Sequence, residues 1–280
     1  MNLAEALKYC NRTLSENAGE SPQIDSKVLV KAVLGCDDRY LYTYPEYQLT
    51  AEQSQDLKNK LARRVNGEPI AYITGFRDFW DFQLEVSPAT LIPRPETEFL
   101  VETSLDKLTA TEANVLDLGT GTGAIALALA KERPNWNVIG VDCVDGAVAL
   151  ALRNKTNLGL SNVDFKQSDW FQSVPDIRFD LIVSNPPYVE KDSPYVEQGD
   201  LRFEPLSALV ADENGLADIR KIIDSAPDFL AMRGWLMIEH GYAQSEAVQS
   251  LLEQAGFFSI STVNDLQQLP RITLGQWNEK

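Results

Sequence analysis

The sequence predicts an α/β protein: a doubly wound, mostly parallel sheet of seven strands, preceded by a small N-terminal helical bundle. Three observations carry that prediction. From residue 114 onward, short apolar runs of strand length alternate with helical patterns. The first 80 residues show helical periodicity and helix caps. A glycine-rich run, Gly119-Thr120-Gly121-Thr122-Gly123, stands where the first buried strand passes into a helix.

In the N-terminal part, Leu3, Leu7, Cys10 and Leu14 recur at helical spacing and share one face. Ser21-Pro22 reads as an N-cap with proline at the first helical position, and Gly35 as a stop. Thr50 and Gln53 form a capping box ahead of Leu57, Leu61 and Val65, and Gly67 ends that helix. Residues 79–86 alternate through aromatics, as a short β-hairpin acting as a hinge would. Ile92-Pro93-Arg94-Pro95-Glu96 is held extended by its prolines and leads into a helix over 98–108.

The alternation then begins. Strands are expected at 114–118, 137–141, 163–167, 179–184 and 235–239, with helices at 124–131, 146–158, 216–230 and 245–255. Residues 258–263 and 271–277 are expected to close the sheet as an antiparallel pair. This divides the chain into a helical domain, 1–78, a hairpin linker, 79–92, and an α/β domain, 93–280.

Composition narrows the function classes. Charged residues make up 24% and hydrophobic residues 44%, as in ordinary soluble proteins. The first ten residues carry Glu5 and Lys8 and lack the apolar core of a signal peptide. The longest apolar run, 124–130, is too short to span a bilayer. Three scattered cysteines and a single histidine, His240, cannot assemble a usual zinc site, so no metal is expected. The cysteines read as reduced thiols packed like small hydrophobes. Net charge is −16, and it is unevenly placed: residues 1–80 hold 10 basic and 11 acidic side chains, residues 81–280 hold 15 and 30. With no local basic stripe in its sequence, so acidic a domain repels a phosphate backbone; the charge suits a basic protein partner, and solubility alone would also account for it.

The glycine run supplies the tight turn and close backbone approach that a nucleoside ligand needs, and Asp142, ending the next strand, can accept hydrogen bonds from both ribose hydroxyls. A dinucleotide site offers the same elements. The spacing separates the two, because the third glycine comes one residue earlier than in G-x-G-x-x-G. Asp117, ahead of the loop, is expected against the pocket, where it would repel a pyrophosphate and suit a cationic sulfonium with an ammonium group. Asp169 could reach an adenine amino group; Trp170 either covers the ring or is a core aromatic.

Strand 179–184 delivers Asn185-Pro186-Pro187-Tyr188 to the same edge of the sheet. A rigid strand exit would explain the prolines but not the Asn and Tyr that flank them. An amide or nucleobase nitrogen has a delocalised lone pair and is a poor nucleophile. If the Asn185 side-chain oxygen and the Pro186 carbonyl each accept one N–H, that nitrogen is held with its remaining face free, and Tyr188 can stack on the planar group. Asn185 is counted with the donor-binding residues as well.

With these two motifs joined by Ile92-Pro93-Arg94-Pro95-Glu96-Thr97-Glu98, the chain resembles the protein-(glutamine-N5) methyltransferases that act on peptide chain release factors. The resemblance includes Gly67-Glu68-Pro69-Ile70-Ala71-Tyr72 and Arg202-Phe203-Glu204-Pro205. It implies a cytoplasmic, monomeric enzyme with a Rossmann-like methyltransferase fold, using S-adenosylmethionine to methylate the glutamine of a Gly-Gly-Gln loop. It implies that Gly119 to Gly123 hold the methionine part of the donor, that Asp142 binds the ribose and Trp170 flanks the adenine. Asn185 to Tyr188 would hold the glutamine amide, and the N-terminal helices would dock the release factor. One departure stands out: where the family often has a glycine, this chain reads Leu266-Gln267-Gln268-Leu269-Pro270. His240 is expected to be structural or to line the pocket. The competing readings are a DNA or RNA exocyclic-amine methyltransferase, which the acidic α/β domain disfavours; a nicotinamide oxidoreductase; and a non-enzymatic adaptor. The early third glycine and the unexplained Asn185 to Tyr188 disfavour the oxidoreductase, and the intact glycines, Asp142 and Asn185 to Tyr188 together disfavour the adaptor.

Overall fold

The computed structural model describes residues 1–17 and 21–278. The chain forms two compact units, one of residues 1–76 with 198–203, the other of residues 77–197 with 204–280.

The first unit is built from α1 (Leu3–Glu16), α2 (Pro22–Leu34), α3 (Asp38–Thr43), α4 (Ala51–Val65) and α5 (Ile70–Thr74). Leu3, Ala6, Cys10 and Leu14 form the buried stripe of α1 and meet Leu29, Leu57 and Leu61 in one apolar cluster. The capping box at Thr50 forms, Thr50 Oγ1 accepting from Gln53 N at 3.1 Å and Gln53 Oε1 from Thr50 N at 2.9 Å. Ser21 differs from expectation. Its ψ of 59° is not the extended value a side-chain cap needs, so no such bond forms, and Ser21 contributes only its carbonyl, which accepts the first helical bond from Asp25 N. Residues 198–203 are tied in by Arg64, which pairs with Asp25 at 2.7 Å and Asp200 at 2.9 Å. Gly67, at φ +89°, lies so close to the Arg202 guanidinium that a Cβ there would overlap it.

The second unit opens at Arg77, one residue into a hairpin of β1 (Phe76–Phe79) and β2 (Phe82–Glu85), which starts three residues before the expected position. Its turn is at Trp80, which takes φ +57°. There follow α6 (Glu98–Lys107), β3 (Asn114–Leu118), α7 (Ala124–Glu132), β4 (Asn137–Asp142), α8 (Asp145–Leu158), β5 (Val163–Gln167) and β6 (Phe179–Ser184). A short pair, β7 (Val189–Glu190) and β8 (Val210–Ala211), precedes the single turn α9 (Asp212–Gly215) and helix α10 (Ala217–Ser225). The chain ends with β9 (Leu230–Glu239), α11 (Ser245–Ala255), β10 (Phe258–Asn264) and β11 (Pro270–Gln276). The helix expected over 216–230 stops at Ser225 because Pro227 cannot continue it, and the chain makes a 3-10 turn before β9.

The seven strands lie in the order β10-β11-β9-β6-β3-β4-β5. β9, β6, β3, β4 and β5 run parallel, and β11 pairs antiparallel with both β9 and β10. Each face of the sheet is covered. Val115, Leu127 and Val138 belong to one apolar cluster; Leu116, Leu118, Ile219 and Ile222 belong to the other. The β10–β11 turn closes without the glycine. Gln268 takes φ +61°, and Asp265 Oδ1 accepts from Gln267 N at 2.8 Å and Leu269 N at 3.0 Å.

Candidate active site

Because β3, β4, β5 and β6 are parallel, the loops that follow them leave from one edge of the sheet. That edge carries a cavity of about 280 Å³, close to the lower end of small-ligand sites. The four loops supply Gly119 to Thr122, Asp142, Asp169 with Trp170, and Asn185 with Pro187 to its wall. Gly123, Pro186 and Tyr188 stand outside that wall.

Gly119, Gly121 and Gly123 all take positive φ, at +71°, +55° and +86°, a conformation that a Cβ disfavours. Gly123 is also packed tightly, since a Cβ there would come within 2.9 Å of the Phe165 ring. The Asp142 carboxylate is fixed at both ends: Oδ2 accepts from Gly121 N and Oδ1 from Val144 N, each at 2.9 Å. Burial raises its pKa, with those N–H groups opposing the shift. Asp117 is absent from the cavity wall. Strand alternation turns it to the α7 side with Val115, where Oδ2 accepts from Thr120 Oγ1 at 2.6 Å and Ala126 N at 3.3 Å. It supports the loop from beneath, and burial pushes its carboxyl up to about 7.

Trp170 fills both of its expected places, lining the cavity and packing on the core cluster of Leu118 and Ile139. It adopts φ +49°, unusual for a bulky residue, and Ser168 Oγ holds the turn by donating to the Trp170 carbonyl at 2.7 Å. A Cβ on Gly119 would meet the indole at 3.5 Å, so the ring lies against the glycine loop. Asp169 is exposed, and its Oδ2 accepts from Gln172 Nε2. Of the three free cysteines only Cys10 is fully buried; Cys143, next to Asp142, is exposed and contributes to the wall. Its place directly after a strand end, not in a packed face, explains the departure.

The Asn185–Tyr188 segment is secured on every side. Ser184 Oγ donates to the Leu118 carbonyl at 2.8 Å, binding the end of β6 to the end of β3. Gln244 Nε2 donates to the Tyr188 carbonyl at 3.0 Å, and Val189–Glu190 pairs with Val210–Ala211. Gly215 is obligatory, because a Cβ would sit 2.1 Å from that same carbonyl. Asn185 Nδ2 donates to Thr97 Oγ1 at 3.1 Å, and the Tyr188 hydroxyl reaches Glu239 Oε1 at 3.4 Å. His240 is fully buried with both ring nitrogens engaged, by Gly241 O at 2.9 Å and Thr273 Oγ1 at 2.7 Å. It is structural and takes no part in the wall.

A methyltransferase-domain model matches residues 110–280, and a PrmC N-terminal domain model matches residues 5–75. The chain is 52% identical to the release factor glutamine methyltransferase of Pseudomonas aeruginosa, over 92% of this chain and 93% of that one. It is 46% identical to the enzyme of the same name from Aliivibrio fischeri, over 99% and 98%. The chain belongs to the release factor glutamine methyltransferase family. A crystal structure of a methyltransferase from Pyrococcus furiosus shares the fold, with a TM-score of 0.56 at 18% identity, covering 79% of this chain and all of that one.

Membership in a methyltransferase family implies S-adenosylmethionine as the methyl donor. The cavity fits such a group: a glycine loop without side chains, an aromatic ring against it, and a carboxylate whose orientation two backbone N–H groups have already set. The cavity of this chain also draws on residues that sequence patterns passed over. Thr90 and Lys221 line it without belonging to any of the motifs read as binding elements. Arg94 and Thr97, present without a role in the segment that joins the two motifs, line it too, and Arg94 pairs with the buried Glu204. Nothing in their local sequence marks these contacts.

Proposed function

We propose that this chain transfers a methyl group to the side-chain amide nitrogen, N5, of the glutamine in the Gly-Gly-Gln loop of peptide chain release factors. The observation that carries the reading is the meeting of the glycine loop, Asp142 and Asn185 in one cavity at the carboxyl ends of β3, β4 and β6. S-adenosylmethionine supplies the methyl group when bound. Gly119 to Gly123 form the loop against which its methionine part lies, and Asp142 offers its remaining lone pairs to the ribose hydroxyls. Asp169 and Trp170 bound the adenine end, and Asn185 faces donor and acceptor alike.

Asn185 Oδ1 and the Pro186 carbonyl each accept one N–H of the glutamine amide, and Tyr188 lies against its plane. Both acceptors favour positive charge growing on that nitrogen. Positioning carries most of the acceleration, worth about 7–11 kcal/mol when alignment is good. The amide proton becomes strongly acidic once the nitrogen is alkylated and leaves to solvent, so no strong base is needed. The helical domain, residues 1–78, serves as the docking module for the release factor, and residues 93–280 are catalytic. The protein acts in the cytoplasm as a monomer. Among the described residues no helix is long and apolar enough to cross a membrane.

The test offers labelled S-adenosylmethionine to the enzyme with a purified release factor, its Gly-Gly-Gln→Gly-Gly-Ala variant, DNA and RNA. Label on the native factor alone is the expected result. Label on nucleic acid would sink the reading and transfer the chemistry to an exocyclic amine.

A further inference from the structure

Gln244 stands at the N-cap of α11, yet its side chain makes no capping bond to its own helix. Its amide serves three backbone groups from three other places in the chain. Nε2 donates to the Tyr188 carbonyl and to the Asn214 carbonyl, each at 3.0 Å, and Oε1 accepts from Gly241 N at 2.8 Å. These partners fix which way the amide points. Turned over, it would set its oxygen against two carbonyls and its NH2 against an N–H, and all three bonds would be lost.

Tyr188 is thereby held from several directions. Gln244 takes the carbonyl of the peptide that follows it, and the N–H of the same peptide, Val189 N, donates to the Leu209 carbonyl at 2.8 Å. Before it, Pro186 and Pro187 lock φ. Gly241 lies beside the ring itself, since a Cβ there would come within 3.7 Å of Tyr188 Cδ2. The rotamers open to a side chain depend on the φ and ψ beneath it. A peptide plane that cannot rotate therefore narrows the directions the Tyr188 ring can take.

The second carbonyl on Gln244 comes from a strained turn. Glu213 and Asn214 take φ +55° and +57°, and Gly215 follows at +82°, three left-handed residues in succession. Such angles are costly for residues with a Cβ and persist only where surrounding contacts over-determine them. Here those contacts are Gln244 on the Asn214 carbonyl and Arg220, which pairs with Glu213 at 2.9 Å. The turn brings Gly215 so close to the Tyr188 carbonyl that a Cβ would overlap it and press on Gln244 Nε2 as well.

We propose that Gln244 is a positioning residue for methyl transfer: it clamps the exit of the reactive tetrapeptide against the strained turn at 213–215 and so sets where the Tyr188 ring meets the substrate. This rests on the reading above, in which Tyr188 lies against the plane of the glutamine amide. Gln244 takes no part in the cavity wall, so its effect falls on transfer and not on donor binding.

The experiment compares the full-length wild type with Gln244→Leu and Gln244→Glu, using a purified release factor. It records kcat from about pH 6 to about pH 8.5, donor affinity by calorimetry, and melting temperature. Gln244→Leu removes all three bonds at similar size, so kcat is expected to fall about tenfold or more while donor Kd stays within about twofold. Gln244→Glu keeps the length and the acceptor for Gly241 N. Ionised, it has no hydrogen for either carbonyl, and kcat at about pH 8.5 should fall as far. Protonated, it regains one donor, so its kcat relative to wild type should rise as pH drops to about 6. A Gln244→Leu enzyme with a lower melting temperature and undiminished kcat overturns the proposal, as does a loss of donor affinity as large as the loss of kcat. Should the leucine variant not fold, the glutamate variant decides: a kcat ratio to wild type that stays flat across the pH range overturns it. A wild type that leaves the release factor unlabelled counts instead against the substrate reading.

Discussion

The carboxylate of Glu204 is fully buried and holds the Arg94 guanidinium, while its second oxygen accepts the backbone N–H of Ile92 at 3.0 Å. One acid thereby fixes the extended segment that carries Pro93, Arg94 and Thr97 into the cavity wall. The prolines set φ along this stretch, but they give it no backbone donors with which to join a sheet. Glu204 supplies the anchor that hydrogen-bonded structure would otherwise provide.

Glu204→Ala leaves the Ile92 N–H buried without an acceptor and Arg94 without its counter-ion. The loss should be about 1–3 kcal/mol of stability, seen as a lower melting temperature, together with weaker donor binding in calorimetry. Unaltered melting and donor affinity would show that the segment holds its position without Glu204.

Asn185→Ala and Asp142→Ala should separate the two halves of the reaction. The first removes an acceptor for the amide, so turnover should be abolished while donor affinity stays largely intact. The second removes the residue placed to accept from the ribose hydroxyls, so donor affinity should fall first, by about 1.5–3 kcal/mol for a charged hydrogen-bonding partner. Calorimetry of the donor alongside single-turnover kinetics reads both. A loss of donor affinity in Asn185→Ala as large as that in Asp142→Ala would reverse the assignment of the motif.

Asp117 makes the pH dependence of stability specific. Burial raises its carboxyl from an ordinary 3.8 to about 7 in the folded state. Between those values the folded protein holds a proton that the unfolded chain has released, so stability is greatest below about 4 with respect to this group and declines as pH rises to about 7. Glu239 contributes with the same sign. Asp117→Asn keeps an oxygen for Thr120 and Ala126 and does not titrate. The difference in melting temperature between pH 5 and pH 8 should therefore shrink in this variant, with a remainder from Glu239. An unchanged difference would place the titration elsewhere.

Several features of the molecule were legible in its sequence because they depend on local chemistry. Thr50 and Gln53 cap a helix through groups three residues apart, and Gly119, Gly121 and Gly123 take backbone angles that other residues resist. Alternating strands and helices dictate a parallel sheet, and a parallel sheet places the ends of β3 to β6, with Asp142 and Asn185, along one edge. Local signals also misled where one residue outweighed the pattern. Pro227 cut short an expected helix, and strand alternation turned Asp117 beneath the glycine loop, against Thr120 and Ala126, and out of the cavity wall.

The support of the site was decided by tertiary structure alone. Thr97 meets Asn185, Glu239 meets Tyr188, Gln244 meets the Tyr188 carbonyl, and Glu204 meets Arg94, each pair separated by more than fifty residues of chain. A hydrogen bond or ion pair over such a separation leaves no periodicity and demands no particular neighbour in sequence. The backbone geometry that binds and the tetrapeptide that reacts are thus written locally. Which way an amide points, and which acid holds a loop in place, follows only from the side chains that folding brings together.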